Sequence, residues 1–302
     1  MVGRHIATMI GFAGTSIAFS PTGYRGMLMA DLPERYKRTA FAFKNVSGSG
    51  YATWSNLVLF SGLVGCELVI LETVNDELLD MAHIEAFIRK VWAMGAAIIC
   101  IVFFAVASNL VNDNVNHPTN QASLTPYLAM LSYYNIATVD FWGDCQGWVN
   151  GGLYDLSDLL GDTVHPSETG HKLTCSKARR YLPFKGTFPP ARLPARLYAA
   201  SADFEQDPLV KDGVDYDSRT GTWVDAGLYT SSNVPGSTIT FSGVFRSFGC
   251  IPNNTAVDVV VDGVPHANIP FYQNGWDIGV RAVHTVEITV LTTVDIDQFW
   301  AI

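Results

Sequence analysis

Val91-Trp92-Ala93-Met94-Gly95-Ala96-Ala97-Ile98-Ile99-Cys100-Ile101-Val102-Phe103-Phe104-Ala105-Val106-Ala107 runs for 17 residues without a charge. Two folds compete for this stretch. A membrane-spanning helix needs about 20 apolar residues, and this run is shorter and interrupted by Gly95. Its centre, Ile98 to Val102, is β-branched apart from Cys100. The segment before it, Met81 to Trp92, has helical spacing. The run therefore reads as a helix ending near Gly95, followed by a strand apolar on both faces. Such strands belong inside a parallel sheet covered by helices.

The flanking sequence repeats this alternation through residue 183. Ile6–Phe12, Thr39–Asn45, Glu67–Leu71, Ala97–Phe104 and Ile136–Phe141 read as strands. Tyr24–Leu32, Asp76–Trp92, Thr125–Tyr134 and Gly170–Tyr181 read as helices between or after them. The expectation is an α/β domain over residues 1–183 with a parallel sheet between helical layers. Pro183, Pro189, Pro190 and Pro194 then punctuate a stretch poor in helix formers, and residues 184–197 read as a Pro-rich linker. From 198 to 302 the period changes to two. Thr238-Ile239-Thr240-Phe241 alternates, as does Thr285-Val286-Glu287-Ile288-Thr289-Val290. Val257–Val261 leads into Asp262-Gly263, a hairpin signal. These features predict an antiparallel β-sandwich.

Composition narrows the function classes. Of 302 residues, 48% are hydrophobic and 16% charged, which allows a large core and disfavours disorder. The net charge of −9 disfavours nucleic-acid binding, which needs a basic face. The five cysteines, at 66, 100, 145, 175 and 250, fit neither a zinc pattern nor a disulfide framework. His83, His117 and His171 lack ligand spacing, and Asp212, Asp215 and Asp217 lack the EF-hand pattern, so neither a metal nor another cofactor is expected. Met-Val-Gly-Arg-His leads straight into a strand with no secretory leader. The chain as given reads as cytoplasmic or phage-particle-associated rather than Sec-secreted.

Four short motifs carry chemistry, each at the carboxyl end of a strand or just before a helix. Gly14-Thr15-Ser16 follows the first strand, where ligands of open α/β sheets bind. A serine there is a helix cap when alone and a nucleophile when a base is near. Asp162-Thr163-Val164-His165-Pro166 supplies such a base, with a carboxylate three residues upstream to orient the ring. Asn45-Val46-Ser47-Gly48-Ser49-Gly50 offers backbone N–H groups, and Val74-Asn75-Asp76 offers a side-chain amide. Both are donors suited to a developing oxyanion. Glu72 and Asp76 flank Asn75, but a paired-carboxylate glycosidase finds no support elsewhere. The Gly-x-Ser-x-Gly elbow of α/β-hydrolases is absent.

In this order the motifs resemble the SGNH (GDSL-type) hydrolase family, over about residues 5–182. The resemblance implies a flavodoxin-like three-layer α/β/α domain. It implies Ser16 as nucleophile, His165 as general base and Asp162 as its orienting carboxylate. It also implies an oxyanion hole built from the Ser16 N–H, an N–H of Ser47 or Gly48, and the Asn75 side chain. Thr15, Ser47 and Thr73 stand where the family usually has Asp, Gly and Gly.

The second domain looks like the jelly-roll, galactose-binding-like modules attached to carbohydrate-active enzymes. Trp223, Tyr229, Tyr272 and Trp276 are its candidate sugar-stacking residues, although large aromatics equally serve as core. The implied function is a carbohydrate O-acyl esterase, O-acetyl above all, with an acylated polysaccharide as partner. Two alternatives remain open: an O-acyltransferase on the same serine, and a binding or structural protein, such as a homo-oligomeric or virion component.

Overall fold

Five parallel strands form the sheet of the N-terminal half, in the order β2-β1-β3-β4-β5. They are β1 (Thr8–Ala13), β2 (Phe41–Asn45), β3 (Leu68–Thr73), β4 (Ala97–Val102) and β5 (Ala137–Asp140). The structure, a computed structural model, describes residues 8–37, 40–48, 53–73, 80–103, 118–162, 165–182, 186–212, 214–226, 229–251, 256–270, 276–292, 294–296 and 298–302. All six residues of β4 are buried, as a central strand covered on both faces requires.

The strand order is the flavodoxin-like one, and the chain reverses direction across the sheet between β1 and β3. Helices α1 (Ser16–Phe19) and α2 (Tyr24–Arg35) follow β1, and α3 (Thr53–Val58) follows β2. Next come α4 (Met81–Ala93), α5 (Pro118–Tyr133), α6 (Phe141–Asn150), α7 (Leu156–Leu159) and α8 (Glu168–Ala178). One face of the sheet packs Ile10, Phe12, Ile70, Ile99 and Val139 against residues of α2 and α8, including Tyr24, Leu28 and Cys175. Right-handed crossovers place α4, which buries Phe87, Ile88 and Val91, on the opposite face.

Local chemistry sets the ends of α4. The Asp80 carboxylate caps its start, accepting from the N–H groups of Ala82 and His83 at 2.8 and 3.2 Å. Gly95, at φ +82°, turns the chain out of the helix and into β4. The uncharged run thus divides where its glycine stands. No described helix is long and apolar enough to cross a membrane.

The chain divides into two compact units, Met1–Ser201 and Ala202–Ile302. The Pro-rich stretch lies along the first unit. Thr187 exchanges backbone hydrogen bonds with Ile98 at 2.9 and 3.0 Å. Further on, the buried Glu85 carboxylate accepts from the N–H groups of Leu197 and Tyr198 at 2.6 and 2.9 Å.

The second unit is antiparallel throughout its described pairings. One sheet runs β12 (Val264–Pro270), β11 (Ala256–Val261), β13 (Trp276–Thr289), β10 (Thr238–Ile251), β15 (Gln298–Ala301) and β6 (Leu209–Asp212), with β7 (Ser218–Thr220) also on β10. A three-stranded sheet orders β14 (Val294–Ile296), β9 (Tyr229–Ser232) and β8 (Val224–Ala226). The predicted alternation appears as Ile239, Phe241, Val286, Ile288 and Val290 in one core. Cys66, Cys100, Cys145 and Cys175 are free and buried.

Candidate active site

The site begins where β1 ends. Gly14 adopts φ +150°, and a Cβ there would lie 2.7 Å from Glu72 Oε2 and 2.9 Å from the Glu72 carbonyl. Only glycine fits this turn without displacing Glu72. The Gly14 N–H donates to Asn56 Oδ1 at 2.9 Å, and the Asn56 amide returns a bond to the Gly14 carbonyl at 3.4 Å. Glu72, at the carboxyl end of β3, lies beneath the turn. Its Oε2 accepts from the N–H groups of Thr15 and Ala18 at 2.9 and 3.1 Å. Burial pushes the Glu72 carboxyl up to about 7, against the opposing pull of those hydrogen bonds. Ser16 thereby becomes the first residue of α1, and its N–H has no partner among the described residues.

His165 sits in the loop between α7 and α8. The Gly161 N–H donates to the His165 carbonyl at 2.8 Å, and the Ser167 N–H donates to the Leu159 carbonyl at 2.9 Å. These bonds close the loop on itself. Asp162 then grips His165 twice: Oδ1 accepts the His165 backbone N–H at 2.6 Å, and Oδ2 lies 2.8 Å from Nδ1. A carboxylate on Nδ1 holds the ring proton there and leaves Nε2 as an acceptor. His165 Nε2 lies 2.8 Å from Ser16 Oγ. Ser16, His165 and Asp162 therefore form one continuous hydrogen-bonded chain. A hydroxyl within reach of an oriented imidazole can lose its proton as it attacks an electrophile.

Beside this chain opens a pocket of ≈ 560 Å³, whose polar lining is Ser16, Ser20, Thr22, His165, Glu168 and His171. Ser47 and Gly48 lie just past the end of β2, with both N–H groups engaged. The Ser47 N–H and hydroxyl donate to Asn45 Oδ1 at 3.2 and 2.5 Å, and the Gly48 N–H donates to the Gly14 carbonyl at 3.4 Å. The Gly48 bond is long, so this N–H is the one more easily redirected to a ligand. Asn75 and Asp76 lie outside the described residues.

In the second unit, Trp223 packs against the sandwich core and its Nε1 donates to the Thr220 carbonyl at 3.0 Å. Trp276 packs edge-on with Phe248 and with His266, at centroid distances of 5.5 and 4.6 Å. Tyr229 lies in β9, and Tyr272 lies outside the described residues. No cluster able to hold a metal ion occurs among the described residues.

Three residues around the site escaped the motif reading. Asn56 carries no sequence signal, because its partner is 42 positions away. Glu72 does carry one, as a charge ending an otherwise apolar strand, but its burial beneath Ser16 follows only from the sheet order. His171 was expected in the last helix, where it lies, without a place in the pocket.

No family model matches the sequence, and no curated protein matches it. Solved structures do match. Over 97% of its length the chain is similar to 91% of a two-domain esterase (CEX) active on acetylated mannans, with a TM-score of 0.73 at 18% identity. A second structure of that esterase, co-crystallised with mannopentaose, gives 0.71 at 17% identity over 98% of this chain and 90% of that one. The acetyl xylan esterase AlAXEase matches 58% of this chain with its whole length, at a TM-score of 0.50 and 15% identity. The likeness is one of fold: a parallel-sheet α/β/α unit followed by an antiparallel β-sandwich.

Proposed function

We propose that the protein is a serine carboxylic ester hydrolase that removes O-acyl groups, chiefly O-acetyl, from a carbohydrate. The observation that carries this reading is the hydrogen-bonded chain from Ser16 Oγ through His165 to Asp162, with 2.8 Å at each of its two side-chain links. In this reading Ser16 Oγ attacks the ester carbonyl carbon as its proton passes to His165 Nε2. The oxyanion is met by the Ser16 N–H, which has no partner among the described residues, with the Gly48 N–H and the Asn75 amide as further donors. Collapse of the tetrahedral intermediate breaks the bond to the sugar oxygen, which takes the proton from His165. Water, giving a proton to the same Nε2, attacks the acyl-serine, and acetate leaves as Ser16 regains its proton. Asp162 holds the ring in the tautomer that both halves need.

The carbohydrate substrate draws support from the two-domain esterase with which this chain shares its architecture, and which is active on acetylated mannans. The β-sandwich fits the same reading as a glycan-binding module. Acetate release from acetylated mannan and xylan oligosaccharides tests the proposal, with p-nitrophenyl esters of increasing chain length alongside. Turnover that favours acetyl esters and vanishes in Ser16→Ala is the expected result. Turnover indifferent to Ser16, or none on any ester, overturns it.

A further inference from the structure

The pocket beside Ser16 holds a second imidazole that the proposed proton relay does not use. His171 stands near the start of α8 and lines the same ≈ 560 Å³ pocket as Ser16 and His165. Its Nδ1 accepts the N–H of Tyr24, the first residue of α2, at 3.2 Å. A ring nitrogen that accepts from an amide carries no proton, so the neutral ring holds its proton on Nε2. A Cβ on Gly23 would meet its Cε1, Nδ1 and Nε2 at 2.9, 3.2 and 3.2 Å, so the imidazole lies against bare backbone. Nε2 has no partner among the described residues and is not sealed from the pocket. Burial, with His165 nearby as a second cause, pushes the His171 pKa down to about 4, so the ring stays neutral where an esterase of this kind works.

The pocket therefore contains one fixed, uncharged N–H donor, the hydroxyls of Ser20 and Thr22, and the Glu168 carboxylate as an acceptor. An acetyl methyl group needs neither this volume nor these polar groups. A polyhydroxy alcohol needs both. Resting on the esterase reading above, we propose that His171 is a specificity-determining residue for the alcohol half of the ester. Its Nε2–H donates to a hydroxyl or ring oxygen of the sugar that carries the acyl group.

Two substitutions separate this role from the tie between α8 and α2. In His171→Asn, the amide oxygen takes the place of Nδ1 and keeps the bond to Tyr24, while the donor at Nε2 is lost. In His171→Gln, the amide nitrogen takes the place of Nε2 and the tie is lost. Kinetics on p-nitrophenyl acetate, whose alcohol has no hydroxyl neighbours, are compared with kinetics on acetylated manno- and xylo-oligosaccharides. His171→Asn should lower kcat/KM on the oligosaccharides about tenfold, the worth of a typical hydrogen bond. It should leave p-nitrophenyl acetate within about twofold and Tm near wild type, since it keeps the bond that a purely structural role would need. His171→Gln should lower Tm and retain most of the oligosaccharide activity. Equal losses on both substrates, or no loss in His171→Asn, overturn the assignment while leaving the esterase reading intact. Wild-type turnover of p-nitrophenyl acetate without any on the oligosaccharides also overturns it. No Ser16-dependent turnover on either substrate overturns both.

Discussion

The two sides of the candidate site are held in opposite ways. The turn that carries Ser16 is wired to distant sequence: Asn56 is 42 positions from Gly14, and Glu72 is 57 from Thr15. Those partners are buried, at 1% exposure each. The loop that carries His165 is wired to itself, since Asp162 is three residues away and serves both its ring and its backbone. Here the side chains are half exposed, at 45% for His165 and 57% for Asp162. The comparison teaches that one site can hold its serine on a turn wired into the core and its histidine on a self-contained surface loop. Damage to the first should register as lost stability, and damage to the second as lost catalysis.

The sharpest break of that contrast lies in the loop. His165→Ala should lower kcat on p-nitrophenyl acetate by about 10⁴-fold or more, and Asp162→Asn by about 10²- to 10⁴-fold, the losses typical of serine-hydrolase triads. Both should shift Tm by less than about 2 °C, as exposed substitutions usually do. Parallel kinetics and thermal denaturation check this, and a large Tm loss in either variant would erase the distinction.

The turn should respond the other way. Glu72→Ala strands the buried N–H groups of Thr15 and Ala18 and leaves a cavity, at a cost of roughly 3 kcal/mol in stability. Chemical denaturation measures it. A change below about 0.5 kcal/mol, the range of ordinary surface substitutions, would show that the turn does not depend on its buried carboxylate.

A smaller, pH-dependent effect sharpens the same point. The Glu72 carboxyl titrates at about 7 in the folded protein against 4.5 as its ordinary value, through burial. Between these pH values the folded protein holds a proton that the unfolded chain has released. Each rise in pH across that window therefore favours unfolding, by up to roughly 3 kcal/mol in total. Tyr24, the titratable neighbour of Glu72, does not interfere, because burial first and Glu72 second hold its hydroxyl well above 10.0. Glu72→Gln mimics the neutral acid and should flatten this part of the stability profile. Identical profiles for variant and wild type would contradict the account.

The same division explains what the sequence could disclose. The Asp162–His165 loop is local, and three residues of spacing suffice to read it. The strands are legible because each is a short apolar run: Ala97–Phe104 was expected where Ala97–Val102 is found, and Glu67–Leu71 where Leu68–Thr73 is found. Helix α6 was not legible, because Phe141–Asn150 contains two glycines and starts on a cap, Asp140, that belongs to the preceding strand. The contacts of the Pro-rich stretch were not legible because its partners, Glu85 on α4 and Ile98 on β4, are about a hundred residues upstream. Glu72 and Asn56 escaped for the same reason. The role of Glu72 exists only once β1 and β3 are neighbours, and that of Asn56 only once α3 lies beside the end of β1.

One measurement tests the central claim most directly. A fluorophosphonate reacts covalently with a serine whose proton an adjacent base can take, and mass spectrometry locates the adduct. The account predicts stoichiometric labelling of wild type at Ser16, with labelling slowed by orders of magnitude in His165→Ala although that variant remains folded. An adduct at another serine, or labelling of Ser16 at the same rate without His165, would contradict it.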